Sequence, residues 1–483
     1  MSNTYKDALE YLYGFVNFEH RRMDQYTQEY INLERPEKFL AQLGRPHDSY
    51  PSIHIAGTKG KGSVAVFCAS CLRKSGYRVG LYTSPHLQDF RDRIRVLDPK
   101  ESDGRIAQEQ VVQLAERLKP FIANTPELTW YEIVTALAFL HFADSDVDAA
   151  VVEVGLGGRL DATNVLEPLV AVITSLSLDH TMLLGDNLVQ IAREKGGIIK
   201  NGVPTISAPQ EPEAFEELQR IADQQHSLLS VIGREWDFDK RQEPALPESG
   251  PYRWRKQVTV VRGPEDSPVK TPIRFSLSMA GRHQQENAVV ALAALNEVWE
   301  FFDGLSIDAV RQGLSEVDWP GRFQIIEPTV EGPNILLDCA HNVDSVEKLA
   351  LALKEDFIYE NLWLIVGVTA DKDVRGIIRA LMPMTKNSIF TASSHPRAAK
   401  SEELASIAVE EGYRVYREQS VIESLLFAWN QAKPGDLICI TGSIFVVADL
   451  LNEWDALQSK LEERESELAP VDRSRSPIYK GDG

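Results

Sequence analysis

From residue 50 to about residue 210, short apolar runs alternate with stretches of helical periodicity, and few folds accept that pattern. The runs are Ser52–Ala56, Arg78–Tyr82, Ala149–Val154, Val170–Ser175 and Val203–Ser207, with helical patterns such as Gln108–Leu118, Ile133–Phe142 and Leu188–Ile199 between them. This alternation predicts an α/β architecture: a doubly wound, mostly parallel sheet of the P-loop type with helices on both faces. In such sheets ligands bind outside the carboxyl ends of the strands.

That rule selects residues. The first run is followed by GTKGKGS and the second by TSPHL, which carries Ser84. The third ends in Glu153 and GLGGRLDATN, and the fourth leads to SLDH, which ends in His180. Each has an ordinary structural explanation: Ser84-Pro85 as a turn, Glu153 as a buried ion-pair partner, His180 as a helix cap. Together, a hydroxyl, a carboxylate, an imidazole and a glycine-rich loop at four strand ends read as one site.

Within Ile55–Ser63, IAGTKGKGS, a buried strand gives way to a helix expected over Ser63–Lys74. Gly57, Gly60 and Gly62 free the backbone to curl and remove side chains that would block close approach. Lys59 and Lys61 add positive charge where the helix offers unpaired N–H groups and the positive end of its dipole. Such a loop is built for an anion, most simply a phosphate. It departs from the pattern G-x-x-x-x-G-K-[ST], because Ile55 stands at the first glycine position and Gly62 separates Lys61 from Ser63. A glycine-rich turn with solvated lysines is the alternative.

Residues 210–280 lose the rhythm, and the pieces SLLSVIG, QVTVVRG and IRFSLS predict a β-rich excursion. A second alternation begins after Asp318-Trp319-Pro320-Gly321-Arg322. Its strands are expected at Asn334–Asp338, Leu362–Gly367, Ser388–Thr391, Arg414–Tyr416 and Leu437–Thr441, with helices such as Ser345–Leu353 and Val421–Gln431. At 483 residues the chain exceeds a single core. The expected organisation is a first domain over residues 1–318, a smaller Rossmann-like domain over 319–455, and a charged, disordered tail over 456–483.

With 71 acidic against 51 basic residues, the net charge of −20 argues against nonspecific nucleic-acid binding. An anionic ligand must then be met by lysine, arginine, histidine and metal gathered locally. No apolar stretch approaches the roughly 20 residues that span a membrane. The opening MSNTYKDALEYLYGF lacks the basic-then-apolar pattern of a secretory signal. Cys68 and Cys71 sit three apart on the helix after the loop and, with Cys339 and Cys439, read as packing residues in a reducing cytoplasm. No long amphipathic face demands self-association, so a monomer is expected.

The stretches HIAGTKGKGS, GLYTSPHL, VVEVGLGGRLDATN, SLSLDHTMLLGDNLVQIAREKGGIIK, GRHQQENAVVA, WPGRFQ and LLDCAHN follow one another between about residues 50 and 450. Their set and order resemble the folylpolyglutamate synthases and dihydrofolate synthases, within the larger Mur-ligase type of ATP-dependent amide-forming enzymes. The resemblance implies that ATP phosphorylates a carboxylate of a pterin-containing substrate and that the amine of L-glutamate displaces the phosphate. Such chemistry needs positioning and charge neutralisation more than a protein nucleophile.

By matching position, the resemblance implies that Gly60, Lys61, Gly62 and Ser63, with Gly57 and Thr58, cradle the ATP phosphates. Lys59 stands where relatives often carry Asn. Ser84, Glu153 and His180 match magnesium ligands, and Lys195 matches a lysine that related enzymes carry as a carbamate able to hold a second magnesium ion. An ion-paired, unmodified lysine is the alternative there. Asn287 is expected at the adenine, Arg322 and Asp338 at the nucleotide from the second domain, and His341 near the incoming glutamate, with closure of the two domains excluding water. Thr129, Trp130, Tyr131 and Glu132 match one part of the pterin pocket, where an aromatic could stack on the ring, and Leu160, Asp161 and Ala162 match another.

The acceptor stays open: dihydropteroate, glutamate-bearing folates, or both. The intact Asp161 and DATN favour both, whereas GTKGKGS also occurs in some polyglutamate-only relatives. A cell-wall Mur ligase and a nucleotide-binding regulator without catalysis are the remaining alternatives. GLGGRLDATN argues against the first, and the retained Lys61, Glu153, His180 and Lys195 argue against the second.

Overall fold

The computed structural model describes residues 4–17, 32–101, 103–241, 243–245, 251–326, 332–467 and 477–478. The chain divides into two compact units. The first comprises Met1–Lys240, Gln257–Ser278 and Arg282–Asp318; the second comprises Arg241–Lys256, Met279–Gly281 and Trp319–Gly483. Two short segments of the expected excursion thus belong with the second unit, where Arg253 N–H donates to the Asp356 carbonyl at 2.8 Å.

The first unit is built on a seven-stranded sheet. Its strands are β1 (Ser52–Ala56), β2 (Val79–Tyr82), β3 (Ile94–Leu97), β4 (Ala149–Glu153), β5 (Val170–Ile173), β6 (Thr205–Ser207) and β7 (Leu229–Val231), in the order β3-β2-β4-β1-β5-β6-β7. All neighbours run parallel except β2 and β3. Every residue of β1, β4 and β5 is buried, as strands covered on both faces must be. The chain leaves β1 for β2 on one side and later crosses from β4 to β5 on the other. The carboxyl end of β1 is therefore the switch point of the sheet, where ligands are received.

The excursion is narrower than the sequence predicts. Pro212–Gln224 is helix, and the SLLSVIG stretch supplies β7, which pairs parallel with β6. Only β8 (Asp237–Phe238), β9 (Gln257–Arg262) and β10 (Ile273–Ser276) form a separate antiparallel sheet. Its alternation of buried Val258, Val260, Ile273 and Phe275 with more exposed neighbours is that of a sheet with one face in water.

The second unit carries β11 (Gln324–Ile326), β12 (Asn334–Leu337), β13 (Leu362–Val366), β14 (Asn387–Phe390), β15 (Tyr416–Arg417) and β16 (Leu437–Thr441). Their order is β11-β12-β16-β13-β14-β15, parallel apart from β11. The tail begins as the helix Trp454–Glu467, with Leu457 and Leu461 buried. Ile478, in the segment expected to be disordered, exchanges both backbone hydrogen bonds with Val415. Residues 468–476 and 479–483 of that expectation lie outside the described residues. Among the described residues no helix is long and apolar enough to cross a membrane.

Candidate functional site

The glycine-rich loop begins where β1 ends. Gly57 has φ +149°, and a Cβ there would lie 1.8 Å from Thr174 Oγ1. Thr58 and Lys59 both donate their N–H to the Ser175 carbonyl, at 3.0 and 3.1 Å, which ties the loop to the end of β5. Gly60 adopts φ +89°, a left-handed conformation costly for other residues, and a Cβ there would lie 2.4 Å from Asn287 Oδ1. The helix Lys61–Lys74 starts immediately, with no side-chain cap and no acidic residue in its first turn. Its leading N–H groups, at Lys61, Gly62 and Ser63, have no intrahelical acceptor and form an anion site with the lysines.

Charged groups surround this loop. Lys61 Nζ lies 3.9 Å from Glu153 Oε1, while Glu153 Oε2 accepts the Ser84 N–H at 3.0 Å. The parallel pairing of β2 with β4 sets these two strand ends side by side. Lys59 Nζ pairs with Asp179 Oδ2 at 3.3 Å, and Asp179 Oδ1 accepts the His180 N–H at 3.0 Å. His180 itself takes φ +51° and precedes the short helix Thr181–Leu184. Lys195, 5% exposed, donates to the Gly57 carbonyl at 2.9 Å. Burial first, and then the Lys61 charge, push its pKa down to about 7, against the opposing pull of Asp179 and Asp161.

Glu153 is buried yet faces a cation and a backbone N–H, and Ser84 adjoins it. Among the described residues no three His, Cys, Asp or Glu side chains gather as a metal cluster. Magnesium commonly takes one or two protein carboxylates and completes its octahedron with phosphate oxygens and water, so this donor set fits it. The imidazole of His180 is the least apt donor for so hard a cation.

The GLGGRLDATN stretch folds back on Asp161. Asp161 Oδ2 accepts the Leu156 N–H at 2.8 Å, and Oδ1 accepts the Thr163 N–H at 3.0 Å and its hydroxyl at 2.6 Å. Burial nonetheless holds this carboxyl above the usual range. Leu160 and Ala162 flank it. Of the TWYE stretch, Tyr131 reaches this region: a Cβ on Gly155 would meet its ring at 2.4 Å.

The other three TWYE residues are engaged locally. Thr129 caps the helix Trp130–Asp144, and Glu132 closes the capping box. Glu132 also forms a buried ion pair with Arg35, Nη2 to Oε1 at 2.9 Å. Trp130 is 1% exposed, stacked on Tyr13 at 5.6 Å with the Arg93 guanidinium 4.8 Å from its ring, so its indole is core packing and not an open platform.

In the second unit, Asp338 follows β12 and accepts the Ala340 N–H at 2.9 Å and the Phe323 N–H at 3.3 Å. Burial raises its pKa to about 6, opposed by the Arg322 charge. His341 Nδ1 lies 2.9 Å from the Cys339 carbonyl, just before the helix Val343–Glu355.

The sequence reading passed over Asp179, although it adjoins His180, and over His54, whose Nε2 lies 2.9 Å from Thr163 Oγ1. It also passed over Thr174, which forces Gly57. Asp179 is visible in the SLDH motif itself. The partners of His54 and Gly57 lie more than a hundred residues away, and no local pattern marks them.

Comparison with known proteins agrees with this geometry. Residues 55–295 match the Mur ligase middle domain, and residues 321–444 match the Mur ligase glutamate ligase domain. The chain is 32% identical to the dihydrofolate synthase/folylpolyglutamate synthase of Bacillus subtilis, across 93% of this chain and 99% of that one. The Mycobacterium tuberculosis folylpolyglutamate synthase complexed with ADP and AMPPCP superposes with a TM-score of 0.76 at 33% identity, covering 87% of this chain and 95% of that one. Escherichia coli FolC in complex with DHPP and ADP gives 0.77 at 29% identity, covering 94% and 98%. On this evidence the chain belongs to the folylpolyglutamate synthase/dihydrofolate synthase family of Mur-type ligases.

Proposed function

We propose that the protein uses ATP to join L-glutamate both to dihydropteroate and to folates, through an acyl phosphate. The observation that carries this reading is one gathering at the carboxyl end of β1: an uncapped helix N-terminus, Lys61 beside Glu153, and Lys195 buried against the Gly57 carbonyl. A carboxylate becomes a good electrophile once its oxygen is phosphorylated. The residues needed are those that hold the phosphates in line and neutralise the transferring charge.

In this reading Gly57, Thr58, Lys59, Gly60, Lys61, Gly62 and Ser63 bind the phosphates by N–H groups and lysine charge. Asn287, whose amide faces Gly60, is assigned to the adenine, and Arg322 and Asp338 also to the nucleotide. Ser84, Glu153 and His180 would hold magnesium, which when bound supplies charge neutralisation of the transferring phosphoryl group. Tyr131, Leu160, Asp161 and Ala162 receive the acceptor, Thr129, Trp130 and Glu132 support that wall, and His341 is assigned to the glutamate. Nothing in these roles calls on a second copy of the chain.

Carbamylation of Lys195 is part of the proposal. The neutral amine adds CO2 through its nitrogen lone pair and loses a proton, turning a buried cation into an anion able to hold a second magnesium ion. A lysine held near pKa 7 has a large neutral fraction at neutral pH.

Both activities are supported by the intact DATN turn around Asp161 and by relatives named for both. Incubation with ATP, magnesium and labelled glutamate, in one tube with dihydropteroate and in another with tetrahydrofolate, tests the proposal. Incorporation in both is expected. Incorporation with tetrahydrofolate alone would make the enzyme a dedicated polyglutamate synthase, and incorporation in neither would overturn the reading.

A further inference from the structure

His54 lies in the middle of β1, fully buried, with an ionisable ring among apolar neighbours. The proposed reaction gives it no role. Its Nε2 is 2.9 Å from Thr163 Oγ1, and Thr163 Oγ1 is 2.6 Å from Asp161 Oδ1. The three side chains form a line from the interior of the sheet to the carboxylate assigned to the acceptor.

The direction of that line follows from counting protons. Thr163 has one hydroxyl proton, and an oxygen–oxygen distance of 2.6 Å needs a proton between the two atoms. Asp161 already accepts backbone N–H groups on both oxygens, which oppose the upward push of burial and favour its ionised, acceptor-only form. The hydroxyl therefore donates to Asp161 and must accept from His54. Nε2 then carries the imidazole proton. Nδ1 is left as a bare lone pair, and among the described residues it has no hydrogen-bond partner. Burial, with the Lys200 charge adding to it, keeps the ring neutral by pushing its pKa down to about 3.

We propose that His54 is a positioning residue for the acceptor site: through Thr163 it fixes the rotamer of Asp161, the carboxylate assigned to the acceptor wall. The proposal rests on the assignment of Asp161 to the acceptor. A one-way chain of this kind adds a side-chain anchor on Oδ1 to the backbone N–H groups that Asp161 already accepts on both oxygens.

Steady-state kinetics with ATP and dihydropteroate test it. His54→Leu is expected to raise KM for dihydropteroate about fivefold, the worth of one hydrogen bond between neutral groups, with KM for ATP unchanged. His54→Gln, which carries an amide N–H at the reach of Nε2, is expected to restore acceptor KM to near the parent's. In the Thr163→Val background, His54→Leu should add no further loss, because the link is already broken. Should His54→Leu fail to fold, Thr163→Val breaks the same link from the other end and carries the same expectation. Nitrogen-15 NMR of the histidine-labelled protein, with His54→Gln identifying the resonance, is expected to find Nε2 protonated and Nδ1 bare.

A ring protonated on Nδ1 would overturn the proposal. So would an acceptor KM unmoved by His54→Leu while Asp161→Asn raises it, a result that leaves the acceptor assignment standing. If Asp161→Asn also leaves acceptor KM unmoved, the assignment beneath the proposal fails with it.

Discussion

The ammonium of Lys195 donates to the carbonyl of Gly57 at 2.9 Å, so the unmodified lysine grips the first residue of the phosphate loop. Lys195→Ala removes this anchor and the proposed carbamate together. Activity is expected to fall by at least about a hundredfold, as losses of charge stabilisation in a buried site do. Short carboxylic acids should restore part of it by standing in for the carbamate. Activity equal to the parent's, measured as glutamate incorporation, would remove Lys195 from the mechanism.

Lys61 stands at the first turn of the helix after the loop, 3.9 Å from Glu153. Its charge is the one the transferring phosphoryl group is expected to meet. Lys61→Ala should abolish product formation while circular dichroism and the melting temperature stay close to the parent's, since the residue is a surface of the site and not of the core. Near-normal turnover would mean that the loop does not hold the phosphates.

Gly60 is constrained twice, by φ +89° and by Asn287 Oδ1 at 2.4 Å from the position of a Cβ. Gly60→Ala is expected to destabilise the fold by about 1–2 kcal/mol from the left-handed backbone alone. Displacement of Asn287 should weaken ADP binding in addition. Calorimetric titration with ADP separates the two: an affinity equal to the parent's would show that the loop and Asn287 do not meet the nucleotide together.

Strands buried on both faces were legible because their whole length is apolar: β1 and β16 run over the residues expected, as does the helix Val421–Gln431. Two edge strands were not: β3 carries Arg95 within IRVL and β11 pairs antiparallel at the rim, so neither carries the apolar run that marked the others. β7 was legible as a strand in SLLSVIG, but its pairing with β6 in the main sheet was not, because nothing local marks it. In the site, Lys61, Ser84 and Glu153 were legible as neighbours because each stands at a strand end or helix start that the local pattern marks. The burial of Trp130 was not legible. Its place in TWYE says nothing of the Tyr13 and Arg93 contacts that turn it into core.

Glu132 serves two structural tasks, closing the cap on Thr129 and neutralising Arg35, whose side chain is 10% exposed. Glu132→Gln leaves Arg35 buried with no opposite charge at this position and is expected to destabilise by about 3 kcal/mol. KM for the acceptor should change less than stability does. A stable variant with a greatly raised acceptor KM would place Glu132 in contact with substrate instead.

Asp338 gives the second unit a pH dependence of defined sign. Its carboxyl ordinarily titrates near 3.8, and burial raises it to about 6 in the folded chain, with Arg322 opposing. Between these values the folded state binds more protons than the unfolded state, so stability falls as pH rises through this window. Below about pH 4 both states are protonated and the neutral carboxyl is at no disadvantage. Above about pH 6 the full penalty of a buried charge is present. Asp338→Asn removes the titration and keeps the shape. Its melting temperature relative to the parent's should therefore climb between about pH 4 and pH 6 and level off beyond, whatever constant offset the lost Phe323 or Ala340 hydrogen bond adds. A difference that stays flat across that range would show that Asp338 is ionised in the fold at ordinary carboxylate pH, held there by Arg322.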